Sequence, residues 1–123
     1  MSKLKHYETM FILKPTLTEE ETVAQLDGVK ALFEKNGAEI VATENIGIKE
    51  LAYEIEKCKR GYYYVIYFKA PANSIAEIER NYRNNEELIR FMFIKYETKK
   101  EISSWTKMSE EAIKRAHTAF CNN

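Results

Sequence analysis

Residues 62–68 read Tyr-Tyr-Tyr-Val-Ile-Tyr-Phe, which is the most strand-like run in the chain because every member is aromatic or β-branched. A second strand pattern precedes it from Ala38 to Ile55, and the turn from Lys57 to Gly61 joins the two. Gly47 interrupts the earlier strand, as expected of a bulge or a bend. The centre of the chain therefore predicts an antiparallel hairpin of two long strands.

A strand and a helix precede the hairpin. The strand covers His6–Leu13, and the helix opens with a capping box formed by Thr18 and Glu21. Asn36-Gly37 supplies a left-handed end to the helix. Gly28, inside the helix, is interpreted as a position where the helix packs closely on the sheet.

A helix and a strand also follow the hairpin. Pro71 ends the third strand, and Ser74 with Glu77 predicts a second capping box at the start of a second helix. The fourth strand covers Leu88–Tyr96. The order β-α-β-β-α-β predicts an α+β fold of the ferredoxin-like split βαβ type, with a four-stranded antiparallel sheet and both helices on one face.

The composition changes after Glu97 to a mixture of Lys, Glu and Ser. We therefore predict a domain over residues 1–97 and a polar C-terminal tail over residues 98–123. Ala112, Ile113, Ala116 and Phe120 have a weak helical period, which indicates at most a marginal helix that folds against a partner.

The bulk properties of the 123 residues narrow the function. One core fits this length, and 19 basic residues balance 19 acidic ones, so electrostatics alone would not hold nucleic acid. The sequence has neither an apolar run of membrane-spanning length nor a signal peptide, which predicts a cytoplasmic protein. Cys58 and Cys121 have no metal or disulfide spacing, and His6 and His117 lack catalytic companions, so we expect no metal, cofactor or enzymatic activity.

One face of such a sheet is left uncovered by its own two helices. Strand alternation assigns aromatic, aliphatic and Met residues to this face, with Arg90 beside them. These candidate partner-binding residues are Tyr63, Val65, Tyr67, Met92 and Ile94. A contiguous apolar patch of this kind favours a protein partner with RNA at its rim. Two alternatives remain open: the tail folds back over the face, or bases stack on it as in an RNA-recognition motif, although the RNP motif is absent.

Basic residues cluster along the second strand, its hairpin turn and the fourth strand. The candidates for RNA contact are Lys49, Lys57, Lys59, Arg60 and Arg90. Their charges suit contacts to phosphate groups. Lysines at a hairpin tip also serve solubility and edge protection, and this alternative stays open.

Four local matches indicate a family. They are Tyr7-Glu8 leading to Pro15, Asn36-Gly37-Ala38, the segment Gly47–Ile55 (GIKELAYEI), and Gly61-Tyr62-Tyr63. The third is the most specific, because Leu-Ala-Tyr follows a glycine and a basic step inside the second strand. Over positions 6–97 the chain resembles the bacterial small-subunit ribosomal protein six family.

The resemblance implies a structural, non-enzymatic protein of the ribosome. Members form a heterodimer with small-subunit ribosomal protein eighteen, and the pair binds the central domain of 16S ribosomal RNA during platform assembly. No cofactor, membrane or small-molecule substrate is implied. Glu50 stands where some relatives carry a second basic residue, so one phosphate contact is expected to be missing. Leu51, Tyr53 and Ile55 are expected to anchor this strand to the fold.

Two functions of other classes compete with this interpretation. The same fold occurs in small-molecule regulatory modules and in acylphosphatase-like hydrolases, since fold alone does not decide function. The hydrolase would need a phosphate-binding loop and a positioned Arg-Asn pair, and the sequence provides neither pattern.

Overall fold

A computed structural model describes residues 4–55 and 57–121. The elements are β1 Leu4–Leu13, α1 Glu19–Lys35, β2 Glu39–Ile55, β3 Cys58–Pro71, α2 Ile75–Asn84, β4 Leu88–Tyr96 and α3 Lys99–Cys121. The strands form one sheet in the order β2-β3-β1-β4, and every neighbouring pair is antiparallel. This confirms the predicted ferredoxin-like arrangement.

The β2–β3 hairpin is longer than its sequence suggested. Gly47 has a φ of 88°, and the register shifts between Asn45 and Gly47, so the predicted bulge is present. The predicted turn from Lys57 to Gly61 is wrong, because Arg60 and Gly61 already pair with β2. Lys57 turns the chain with a φ of 66°, a left-handed conformation that lets two long strands meet in a short connection.

The predicted capping box is present at the start of α1 and absent at the start of α2. At α1, the Thr18 hydroxyl accepts a hydrogen bond from the Glu21 amide at 3.1 Å, and Oε1 of Glu21 accepts one from the Thr18 amide at 3.0 Å. At α2, Ser74 forms no cap, because a 3-10 turn over Ala72–Ser74 already gives it helical angles. Its hydroxyl donates instead to the Pro71 carbonyl oxygen at 2.7 Å.

α1 and α2 bury the main core against one face of the sheet. Its centre includes Phe11, Phe33, Phe68 and Ile78, all fully buried. Gly28 does not contribute close packing, since a Cβ atom there would have no neighbour within 4 Å. The first two helices thus cover one sheet face, as the fold class predicts.

α3 lies against the opposite face. The sequence suggested a polar tail with at most a marginal helix, whereas the structure has a helix of 23 residues with its apolar stripe on the sheet. Thr98 and Glu101 open it with a capping box, in which each backbone amide donates to the other residue's side chain at 3.1 Å. Ala116 and Phe120, which belonged to the predicted helical period, have side chains outside the described part.

No helix within residues 4–55 and 57–121 combines the length and the apolar character needed to cross a membrane.

Candidate nucleic-acid and partner interface

The two faces of the sheet carry the two alternating sets of β3 side chains. Tyr64, Ile66 and Phe68 are buried under α1 and α2. Val65 and Tyr67 point to the other face and are buried in a second cluster with α3. Strand alternation therefore predicted correctly which set meets the first two helices.

Trp105 anchors α3 to the sheet. It is 3% exposed, and its indole Nε1 donates a hydrogen bond to the Tyr7 carbonyl oxygen at 2.8 Å. The His6 ring meets the indole edge-on with 4.7 Å between ring centroids, and Nζ of Lys69 lies 6.0 Å from the indole centroid. Burial lowers the pKa of His6, and the positive charge of Lys69 lowers it further. His6 is thus a neutral packing partner of Trp105 at pH 7.

Polar contacts accompany this apolar anchor. Nε of Arg115 lies 3.0 Å from Oε1 of Glu44, and the Tyr96 hydroxyl donates to Oε1 of Glu8 at 2.6 Å. Burial raises the pKa of Tyr67 to about 12, and the charges of Glu8 and Glu44 contribute to the rise. Burial and Glu8 also raise the pKa of Tyr96, so both tyrosine hydroxyls stay protonated at neutral pH. The Arg115–Glu44 pair joins α3 to β2, whereas the Tyr96–Glu8 hydrogen bond joins β4 to β1.

α3 covers only part of the face that sequence reasoning left open. Val65 is 4% exposed and Tyr67 is 5% exposed, so the prediction that these two residues lie on an uncovered face is wrong. Met92 is 45% exposed, Ile94 is 37% exposed and Tyr63 is half-buried. We call Tyr63, Met92 and Ile94 the open patch.

Lys49 and Arg90 lie on the same face as the open patch. In the ladder, Ile12 pairs with Tyr63 on one side and with Arg90 on the other, and Lys49 pairs with Gly61 two residues before Tyr63. Directly paired residues of antiparallel strands point to the same face. The register therefore brings two basic side chains to the end of the sheet next to the open patch.

The other three basic candidates have different surroundings. Arg60 pairs with Glu50, and Lys59 and Arg60 line a shallow groove together with Glu50 and Glu54. Lys57 lies at the hairpin turn. Because carboxylates offset the charge of Lys59 and Arg60, Lys49 and Arg90 are the stronger candidates for an anionic ligand.

Tyr53 is a surface residue that sequence reasoning assigned to packing. It is 59% exposed, which corrects its expected role as an anchor. Nη1 of Arg90 donates a hydrogen bond to the Tyr53 hydroxyl, and the guanidinium carbon lies 5.6 Å from the ring centroid. Leu51 does pack inward, close to Gly61. No local pattern signals the Tyr53–Arg90 contact, since 37 residues separate the two.

Residues 4–55 and 57–121 contain no group of three His, Cys, Asp or Glu side chains that could hold a metal ion.

Comparison with known proteins identifies the family. The family model described as Ribosomal protein S6 matches residues 6–95, which is more than half of the chain. The chain belongs to the ribosomal protein S6 family. This confirms the family that the sequence motifs indicated.

Individual S6 relatives match most of the chain. The small ribosomal subunit protein bS6 of a Nitratiruptor species is 56% identical over 111 residues, covering 90% of this chain and 87% of that protein. The protein of the same name from Campylobacter lari is 58% identical over 107 residues, covering 87% of this chain and 86% of that protein. These identities extend well beyond the short motifs quoted above.

Solved structures agree with the fold. The crystal structure of 30S ribosomal protein S6 from Thermotoga maritima matches with a TM-score of 0.76 at 31% identity, covering 88% of this chain and 99% of that chain. A chain of the complex between the chemotaxis kinase CheA P2 domain and the response regulator CheY from Thermotoga maritima matches with a TM-score of 0.51 at 15% identity, covering 76% of this chain and 99% of that chain, and shows the fold alone.

The similarity to S6 relatives includes part of α3. The alignment with the Nitratiruptor protein covers 111 residues, whereas 98 residues precede α3, so at least 111 − 98 = 13 aligned residues lie at or beyond its start. The sequence similarity to that relative therefore continues into α3.

S6 proteins are structural constituents of the ribosome, so this chain is not an enzyme. A ribosomal protein works in the cytoplasm as part of the ribosome, which agrees with the location predicted from the sequence. Family membership removes the support for the hydrolase and the small-molecule module.

Proposed function

We propose that the chain is a structural protein of the small ribosomal subunit that binds the central domain of 16S ribosomal RNA as a heterodimer with small-subunit ribosomal protein eighteen. The observation that carries the proposal, given the family, is the uncovered end of the sheet. Exposed apolar Met92 and Ile94 follow basic Arg90 along β4 there, and Lys49 lies on the same face at the opposite edge, on β2. One surface thus offers contacts for a protein and for RNA.

The charge of the chain supports a shared binding mode. Its 19 basic and 19 acidic residues give a formal net charge of zero, whereas phosphate contacts draw their affinity from the release of counterions by cationic groups. A basic partner would add the cations that this chain lacks. Lys49 and Arg90 would then contribute local contacts, with Lys57, Lys59 and Arg60 as secondary candidates.

The open patch supports a protein partner of modest contact area on this chain. Met92 and Ile94 are apolar and exposed, and Tyr63 lies on the same face in the Ile12–Arg90 row, which is the row next to that of Met92. Aromatic residues and Met are enriched in interface cores. A docked α3 keeps Val65 and Tyr67 from touching a partner protein. The proposed partner surface is therefore the open patch alone.

The RNA part of the proposal is tested by the salt dependence of binding. In a mixture of the chain, protein eighteen and a central-domain RNA fragment, Lys49→Gln should weaken RNA binding and reduce the slope of log K against log salt by about 1, as loss of one phosphate contact requires. Filter binding at several salt concentrations measures both quantities.

Lys35→Gln is the matched control, because Lys35 is an exposed lysine in the last turn of α1, a helix on the opposite face of the sheet. It should leave affinity and slope unchanged. If the wild-type chain binds no RNA even with protein eighteen present, the proposed function is wrong. Equal slopes for Lys49→Gln and wild type would remove Lys49 from the contact.

The partner part is tested without RNA. Met92→Glu places a charge in the open patch, and charged residues are depleted from interface cores, so the affinity for protein eighteen should fall about 10-fold or more. Since Met92 is 45% exposed, the fold should tolerate the change. Isothermal titration calorimetry gives the affinity, and a thermal melt checks folding.

Val23→Glu serves as the control, because Val23 is equally apolar and 51% exposed but lies on α1. It should bind protein eighteen like the wild type. A Met92→Glu variant that binds with unchanged affinity would show that the partner docks elsewhere.

A further inference from the structure

Near the end of the β2–β3 hairpin, apolar side chains of three strands converge around Gly61 of β3. Gly61 is buried, and the position of a Cβ atom there lies against Ile12, with Leu51 at 3.5 Å and Ile89 at 3.6 Å. Side chains of β1, β2 and β4 thus surround this position of β3. Tyr53 lies two residues after Leu51 on β2 and contacts Arg90 of β4.

Tyr53 is an exposed aromatic ring that is already oriented. Its hydroxyl accepts a hydrogen bond from Arg90, and the guanidinium carbon is 5.6 Å from the ring centroid. An ordered ring loses less conformational entropy when a ligand stacks on it. With 59% of the residue still exposed, ring surface remains available for a further partner.

We propose that Tyr53 is a stacking site for an unpaired RNA base, with Arg90 holding the ring and Lys49 and Arg90 facing the adjoining phosphates. The inference rests on the proposed function, since it names the part of the RNA that this surface accepts. Single-stranded bases are recognised by stacking on aromatic rings, and cationic side chains nearby track the backbone. This site differs from stacking on the sheet itself, because Tyr53 lies in the part of β2 beyond the bulge at Gly47.

An RNA base fits the surroundings of Tyr53 better than an apolar protein segment does. The basic groups Lys49 and Arg90 share its sheet face, whereas the exposed aliphatic side chains Met92 and Ile94 lie further along β4. A protein core would place its apolar residues on that patch and leave the cationic rim to the RNA.

The test uses the complete chain with protein eighteen and the central-domain RNA fragment. Loss of one stacked base should weaken the RNA binding of Tyr53→Leu about 10-fold. The slope of log K against log salt should not change, because no charge is lost. Tyr53→Phe keeps the ring and should stay within about 3-fold of wild type, since only the hydroxyl contact to Arg90 is removed. Ultraviolet cross-linking followed by mass spectrometry should yield a nucleotide attached to the peptide that contains Tyr53.

Ile48→Ala is the matched control, because Ile48 is also on β2 and 51% exposed but pairs with Tyr62 on the opposite face. It should bind RNA like the wild type. If the wild type binds and Tyr53→Leu binds equally well, the stacking site is wrong while the proposed function stands. A loss of affinity for protein eighteen in the absence of RNA would make Tyr53 a protein contact and also overturn the inference. Failure of the wild type to bind RNA overturns both proposals.

Discussion

Replacing Trp105 with alanine is expected to lower the free energy of unfolding by about 3–5 kcal/mol, the usual loss for a buried tryptophan. Trp105 is 3% exposed, packs against His6 and donates to the Tyr7 carbonyl oxygen. The variant loses the apolar contacts and the hydrogen bond that the indole donates to that carbonyl oxygen. Urea unfolding followed by far-ultraviolet circular dichroism measures the change.

Ile113→Ala provides the control on the same helix, because Ile113 is 48% exposed. It should change the stability by less than about 0.5 kcal/mol. Trp105→Phe keeps an aromatic ring but has no N–H donor, and should cost about 1–3 kcal/mol. Hydrogen exchange should show the loss of protection concentrated in α3. If Trp105→Ala were as stable as the wild type, α3 would not be held by this anchor.

Replacing Gly61 with alanine is expected to destabilise the protein by about 1–3 kcal/mol through overpacking. The added methyl would overlap with Cγ2 of Ile12, which is 5% exposed and branched at Cβ, so that it has no room to move away. Leu51 and Ile89 close the other sides. The urea midpoint, compared at constant m-value, gives the effect.

Gly28→Ala is the matched control, and it is expected to stabilise the protein where Gly61→Ala destabilises it. A Cβ atom at Gly28 meets nothing within 4 Å, and the residue lies inside α1, where alanine is favoured over glycine by up to about 1 kcal/mol. A Gly61→Ala variant that gained stability as Gly28→Ala does would contradict the close approach of Ile12. The pair thus separates tight packing from intrinsic helix propensity.

The parts of the fold that the sequence predicted depend on short-range physics. The bulge at Gly47 requires a positive φ that glycine adopts easily, and the Thr18–Glu21 box requires two side chains three residues apart. Local sequence patterns predicted wrongly where one side chain has two possible hydrogen-bond partners nearby. Ser74 could cap α2 or bond to Pro71, and the chain takes the second option by forming a 3-10 turn first.

The candidate interface was predicted in part. Alternation along β3 and β4 placed Tyr63, Met92 and Ile94 on the second face, because side chains of a strand point alternately to its two sides. It could not show that Val65 and Tyr67 are covered, since that depends on the position of α3. The basic residues were visible in the sequence. That the Glu50 carboxylate lies next to Arg60 followed only from the strand register.

The amino-acid sequence by itself determined the order of the elements from β1 to β4, the family and the two faces of the strands. The tertiary structure alone decided where α3 docks and which end of the sheet remains open. A helical period of apolar residues indicates that a helix has a side to bury, but not the surface that receives it. That choice is made by contacts between distant residues, such as Trp105 with Tyr7 and Tyr53 with Arg90, which are 98 and 37 positions apart.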